Sequence, residues 1–344
     1  MSGPTSTSFE PTLPSPDPAF ASLDAAGTSA GLGRAWATRR RLLQSLGALA
    51  ATPWLVRADA AAAVAGIAPL RLPLHLTQMV NHIGISVTDV KRSATFYSHL
   101  FEQKHLLGQE KPALRYIVGF NPGAVSIGPL QTSGPDAHAR SFIDHFAVSA
   151  QPFDLAAWRA RLHALGVPYF AGGTFVNLDG VNLQLLGGRA GPPRRRPPRG
   201  AAPGGFMPMP ALYSGEPLLE AHGFERVMLS MANLDAATDT LRTLFGVPPH
   251  RTDSGRVFFR VGGIELGLDH APDGVSRIAS FAIKVGPFDK AKVAEALTAL
   301  GAKLPGRAGS GSGPFGRRAA SRPDNPSALA FSDPDGIQCE LWPA

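Results

Sequence analysis

The chain has 344 residues, of which 44% are hydrophobic, with a formal net charge of +7 and a single cysteine. That length is about two domains' worth, and the apolar content is enough for a sizeable core. The lone Cys339 excludes an intramolecular disulfide and a cysteine-rich zinc site; no nucleic-acid partner is expected from the basic excess, because its densest run, Arg194-Arg195-Arg196 with Arg199, sits among prolines without interleaved aromatics and reads as solvated linker rather than a nucleic-acid patch.

In chain order, residues 1–33 are rich in Pro, Ser, Thr, Gly and Ala without periodicity, the composition of a disordered segment. Thr38-Arg39-Arg40-Arg41-Leu42-Leu43-Gln44 follows, then an apolar run to Leu55 and an Ala58-Asp59-Ala60 site. Basic, short apolar and A-x-A regions in that order make an export signal over residues 1–60, and the paired arginines before Leu-Leu are similar to the twin-arginine type. An ordinary secretion signal is the plainer alternative. Either way the mature protein is expected in the periplasm or outside the cell. No later segment is long and apolar enough to span a bilayer, so no stable membrane insertion is expected after cleavage.

A repeat begins after the signal. Val80 to Val87 alternates with period two: Ile83, Ile85 and Val87 share one face, His82, Gly84 and Ser86 the other. Asp89 is placed to cap a helix carrying Val90, Phe96, Tyr97, Leu100 and Phe101 on its apolar side, and strands at 114–120 and 124–130 close this first unit. A second unit opens on Phe142-Ile143-Asp144-His145-Phe146-Ala147-Val148. Its helix spaces Leu155, Trp158, Leu162 and Leu165 before a stop at Gly166, and it closes on Gly180 to Leu186. Residues 187–222 are a Pro/Gly/Arg-rich linker. A third unit runs from Arg226-Val227-Met228-Leu229-Ser230-Met231 through a helix ending at Gly246 to Gly262 through Gly267. A fourth opens on Ser280 to Val285, has a helix ending at Gly301 and a Gly/Ser/Arg loop, and closes on Asp333 to Trp342. The expected fold is α+β: four βαβββ units paired into two curved mixed-sheet domains, 79–186 and 223–344, with helices outside and a concave pocket inside each.

His82-Ile83-Gly84-Ile85-Ser86-Val87 leading into Asp89 and Phe96-Tyr97, with the closing Asp333-Pro334-Asp335-Gly336-Ile337-Gln338-Cys339-Glu340-Leu341, resembles the vicinal oxygen chelate superfamily, which includes glyoxalases, bleomycin-resistance proteins and extradiol dioxygenases. The resemblance covers residues 79–344 apart from the linker. It implies a divalent metal held by residues from the first and last strands of two paired units. Carried over, unit one offers His82 and Ser126, unit two His145 and Gln184, unit three Arg226 and Glu265, and unit four Ser280 and Glu340. The implied metal set is His82, His145 and Gln184, for Fe, Mn, Ni or Zn. It departs from the family pattern in that Gln184 stands where a carboxylate is usual.

Which units pair is open at this stage. Neighbour pairing gathers His82, His145 and Gln184, whereas pairing unit one with unit four sets His82 against Glu340 and His145 against Glu265. The resemblance implies a metal-dependent enzyme, dioxygenase-like or glyoxalase-like, acting on a small oxygenated substrate. The competing class is a metal-free small-molecule-binding protein of the bleomycin-resistance type. Arg226 reads as a structural ion pair or an anion anchor, Tyr97 as core, and Cys339 as buried and inert.

Overall fold

A computed structural model describes residues 80–110, 113–120, 122–133, 138–150, 154–170, 175–187, 206–261, 263–305 and 325–344. The expected export signal, the Arg194–Arg199 run and most of the Gly/Ser/Arg loop of unit four lie outside the described residues.

Unit one contains β1 (Val80–Val87), α1 (Val90–Leu100), β2 (His105–Gln109), β3 (Arg115–Phe120) and β4 (Gly123–Pro129). Unit two contains β5 (Phe142–Ala150), α2 (Leu155–Ala164), β6 (Tyr169–Phe170), β7 (Phe175–Leu178) and β8 (Val181–Gly187). A short β9 (Met207–Pro208) precedes unit three, which contains β10 (Glu220–Met231), α3 (Leu234–Phe245), β11 (His250–Arg251), β12 (Val257–Val261) and β13 (Ile264–His270). Unit four contains β14 (Arg277–Gly286), α4 (Lys290–Ala299), β15 (Leu329–Ser332) and β16 (Gln338–Pro343).

Each described helix starts on a short polar side chain that accepts from the first-turn amides: Asp89, Asp154, Asn233 and Asp289. Gly246 ends α3 at φ 68°, in the left-handed region where a side chain is penalised.

The topology repeats within each unit. The opening strand pairs parallel with the closing strand of its own unit: β1 with β4, β5 with β8, β10 with β13 and β14 with β16. Opening strands then pair antiparallel, β1 with β5 and β10 with β14. Neighbouring units therefore share a sheet, which decides the pairing that the sequence left open. The single pair Ile143↔Ile278 links β5 to β14, so the strands form one mixed, unclosed sheet.

The alternation seen in the sequence is what buries the core. Ile83, Ile85 and Val87 are 2% exposed or less, as are Val227 and Leu229 at the matching positions of β10. Helices cover this face, with Phe96, Tyr97 and Leu100 of α1 inside. Burying each such side chain is worth about 1.5–3 kcal/mol.

Two helix contacts tie the halves together at the back. Tyr97 donates to Asp333 at 3.0 Å, and Asp335 of the same turn accepts from Thr88 and Arg92 at 2.7 and 2.6 Å. Arg161 of α2 donates to the Thr243 carbonyl of α3. Tyr97 and Cys339 are buried as expected, and Tyr97 also carries this polar link.

Of the expected linker, residues 206–222 are described and are bonded to unit one. Met207–Pro208 pairs with β2, the Met209 amide donates to the Leu106 carbonyl at 2.9 Å, and Leu218 and Leu219 bond to carbonyls at the end of α1. Composition alone pointed to loop here, because the bonding partners of this stretch are carbonyls of unit one, far away in sequence.

Candidate metal centre

The concave face of units one and two is a lattice of cross-strand rows. One row runs Ala124 (β4), His82 (β1), Ala147 (β5), Gln184 (β8), Phe175 (β7). The next runs Ser126, Gly84, His145, Asn182, Asn177. Each histidine thus has small residues beside it. Ala124 and Ala147 flank His82, and Gly84 lies under the ring of His145. A Cβ at Gly84 would stand 2.2 Å from His145 Cε1, so only glycine leaves room for that imidazole.

The result is a close pair of rings, with His82 Nε2 and His145 Nε2 3.0 Å apart, both side chains nearly buried (6% and 7% exposed). Each Nδ1 faces an oxygen. His82 Nδ1 is 3.1 Å from Asn81 Oδ1, and His145 Nδ1 is 2.6 Å from Asp144 Oδ2. Burial, reinforced by the neighbouring His145, holds His82 well below the usual histidine pKa, so its ring is neutral near pH 7. Partial loss of hydration raises the Asp144 carboxyl, but its bond to His145 and the nearby Arg115 and His138 more than offset this and hold it below its ordinary value.

A neutral imidazole that donates from Nδ1 presents a bare lone pair at Nε2. Two such lone pairs 3.0 Å apart repel unless a cation is shared between them. A proton can serve, and so can a metal ion. Bonds of about 2.1 Å to one ion place adjacent nitrogens of an octahedron about 3.0 Å apart.

Gln184 completes the site. It is fully buried, and neither its amide oxygen nor its nitrogen makes a hydrogen bond of ordinary geometry. A buried amide whose hydrogen bonds are not fully formed costs about 1–3 kcal/mol, and Gln184 lies close enough to His82 to favour its protonated ring. Two facing imidazoles beside this amide therefore fit a small cation, though with less charge than a carboxylate would bring. Among the described residues, no group of three or more His, Cys, Asp or Glu side chains converges.

An apolar wall adjoins this polar centre. Leu107, Ile117, Ala124 and Phe206 form a cluster of their own, separate from the main core. Ile117 continues the Ser126–Gly84–His145 row, Leu107 lies beyond it, and Phe206, 1% exposed, is laid against them by β9. Phe175 meets the His145 ring edge-on at 5.3 Å and stacks on Phe170 at 5.0 Å.

The other carried-over residues lie elsewhere. Ser126 sits beside Gly84. Arg226, Glu265, Ser280 and Glu340 are all in units three and four. Arg226 makes two bonds to Glu265 Oε2, at 3.0 and 2.6 Å, with its guanidinium over Phe258 and Trp342. Glu340 accepts from Trp342 Nε1 at 2.8 Å. The sequence reading missed Asn81, Asp144, Phe175 and Phe206. For the first two a signal existed: in both opening strands the residue before the histidine is polar, where alternation calls for an apolar one.

The chain has the vicinal oxygen chelate fold, with two buried histidines in contact in its N-terminal half. Its solved structural neighbours include a triple mutant of 4-hydroxymandelate synthase from Streptomyces coelicolor (12% identity, TM-score 0.51, covering 78% of this chain and 92% of that one). They also include the 2,3-dioxygenase LapB from Pseudomonas sp. KL28 (12% identity, TM-score 0.50, covering 78% and 93%). At such identity the likeness is one of fold. No protein-family model and no curated protein sequence matches the chain.

Proposed function

We propose that this protein is a metal-dependent enzyme of the vicinal oxygen chelate type, dioxygenase-like or glyoxalase-like, exported through its arginine-paired signal and acting on a small oxygenated molecule. The observation that carries the reading is the 3.0 Å approach of two buried Nε2 atoms beside the Gln184 amide, which makes no hydrogen bond of ordinary geometry. His82, His145 and Gln184 would hold the ion, which could be Fe, Mn, Ni or Zn. A divalent ion there supplies Lewis-acid polarisation of substrate oxygens.

The rest is the work of the chain itself. Gly84 lets the His145 ring lie flat across β1, and Ala147 leaves the Gln184 amide a clear line to His82. Leu107, Ile117 and Phe206 offer an apolar surface to the substrate body and keep water from that side of the pocket.

A second reading is favoured by the missing carboxylate, namely a metal-free binding protein in which the histidines only line the pocket. Elemental analysis of the mature, exported protein separates the two. The enzyme reading expects a divalent metal that is lost on His82→Ala or His145→Ala while the fold persists. Protein that holds no metal under any loading condition leaves the binding-protein reading.

A further inference from the structure

The strand pairing around each histidine is irregular in the same way. Val80 faces Val148 and His82 faces Ala147, so Asn81 is an extra residue on β1. Gly84 faces His145 and Ile85 faces Ile143, so Asp144 is an extra residue on β5. In a regular strand each would point to the core face, away from its histidine. A bulge re-aims the extra residue, and here it brings each polar side chain within bonding distance of the adjacent ring, on Nδ1 in both cases.

The two bulges carry different chemistry. Asn81 offers a neutral amide oxygen at 3.1 Å, and its own amide nitrogen donates to Ser149. Asp144 offers a carboxylate at 2.6 Å, the shorter contact of a charge-assisted bond. The C-terminal half serves as a control within the same chain. Met228 faces Ser280 and Leu229 faces Ile278, so β14 keeps the bulge, with Ala279 in the place of Asp144 and Ser280 in the place of His145. The bulge belongs to the fold: at the Asp144 position of the second half it carries no carboxylate and faces no imidazole, while Glu225, the extra residue of β10 that matches Asn81, pairs with Lys284 at 2.9 Å.

We propose that Asp144 is a positioning residue for the ion site: it fixes His145 with its proton on Nδ1 and its lone pair towards the pocket, and it supplies through the imidazole the negative charge that Gln184 lacks. This rests on the metal reading above. The neighbouring groups that compete for the carboxylate are Arg115 and His138. The Asp144 side chain is 41% exposed, so the core does not depend on it.

The test is a Co(II) titration of the full metal-stripped chain, followed by its visible absorption, for wild type, Asp144→Asn, Asp144→Ala and the exchange variant Asn81→Asp/Asp144→Asn. Loss of an outer carboxylate on a ligating histidine weakens metal binding roughly 10–100-fold. Asp144→Asn, which keeps an acceptor oxygen, should fall in that range, and Asp144→Ala should lose at least as much. The exchange variant puts the carboxylate behind His82 instead and should recover most of the affinity, which a merely structural role could not do. Wild-type affinity in Asp144→Asn, or no recovery in the exchange variant, overturns the proposal while leaving the metal site standing. A wild-type protein that takes up no Co(II) overturns both. Unaltered melting of the stripped Asp144→Asn protein confirms that folding is not the cause.

Discussion

The two halves of this protein are the same lattice with opposite contents. Register makes the equivalence direct. His82 and Arg226 each face an alanine on the neighbouring opening strand, Ala147 and Ala282, and those alanines face Gln184 and Glu340 on the closing strands. Where the first half has Gly84 beneath His145, the second has Met228 opposite Ser280, and Met228 Sδ would stand 2.3 Å from a Cβ on Gly267. Large and small have changed places across the strand pair. The first half brings two imidazoles edge to edge, 3.0 Å apart at Nε2. In the second, Met228 takes up space and the guanidinium of Arg226, paired to Glu265 and covered by two aromatic rings, provides a built-in cation. The fold therefore supplies the same lattice twice, and a few residues set what each copy contains.

The most severe way to break the comparison is to give the first half the contents of the second. Gly84→Met with His145→Ser should abolish metal binding altogether, measured by elemental analysis, while the far-ultraviolet circular dichroism stays unchanged. Gly84→Ala alone should displace the His145 ring and cost most of the metal affinity, since the added Cβ would fall 2.2 Å from that ring.

On the other side, Arg226→Met leaves Glu265, 18% exposed, with only the exposed Arg260 at 3.5 Å as a cationic partner. Breaking a buried pair costs about 3 kcal/mol, which chemical denaturation would read as a drop in unfolding free energy. Arg226→Met with Glu265→Leu should recover most of that loss, and a double-mutant cycle isolates the pair. If the single variant is as stable as wild type, the guanidinium is not the cation that holds this half together.

The seam between the halves gives a pH-dependent test. Burial raises the Asp333 carboxyl from 3.8 to about 6, against the opposing bonds from the Ile337 amide and the Tyr97 hydroxyl. The folded state thus holds the proton more tightly than the unfolded one. Its contribution to stability is fully present below pH 4 and is lost as pH rises through about 6, a change of about 3 kcal/mol at most. Asp333→Asn keeps the acceptor for the Ile337 amide and removes the charge. It should be the more stable protein above pH 6 and flatten the slope between pH 4 and 6, as followed by thermal melting across that range.

The smallest expected effect sharpens the site itself. Gln184→Glu restores a charged third donor and should tighten metal binding about tenfold, near 1.4 kcal/mol. The same variant should melt lower when stripped of metal, because a buried carboxylate then has no cation beside it. An unchanged affinity would make Gln184 a wall of the pocket and no ligand.

Some of this was legible in the chain. Period-two alternation put His82, His145 and Gln184 on faces opposite Ile83, Phe146 and Leu183, and the structure keeps that parity. Asp89 as a helix cap and Gly166 as a helix stop were readable because both act within a few residues. Asn81 and Asp144 were not assigned to the site, since a bulge exists only relative to the partner strand. Phe206 was hidden within a stretch whose composition reads as linker, and it becomes a pocket wall only through the pairing of β9 with β2.

The sequence by itself determined the four repeated units, the faces of their strands and the residue types that could meet a cation, because those follow from local periodicity and side-chain chemistry. The tertiary structure alone decided which of them meet. Antiparallel pairing of β1 with β5 sets two histidines, 63 positions apart in the chain, at 3.0 Å, and the parallel pairing of β10 with β13 sets Arg226 beside Glu265, 39 positions away. Register between strands is a long-range property fixed by burying one face of the whole sheet, and a shift of one residue would turn every site residue into the core.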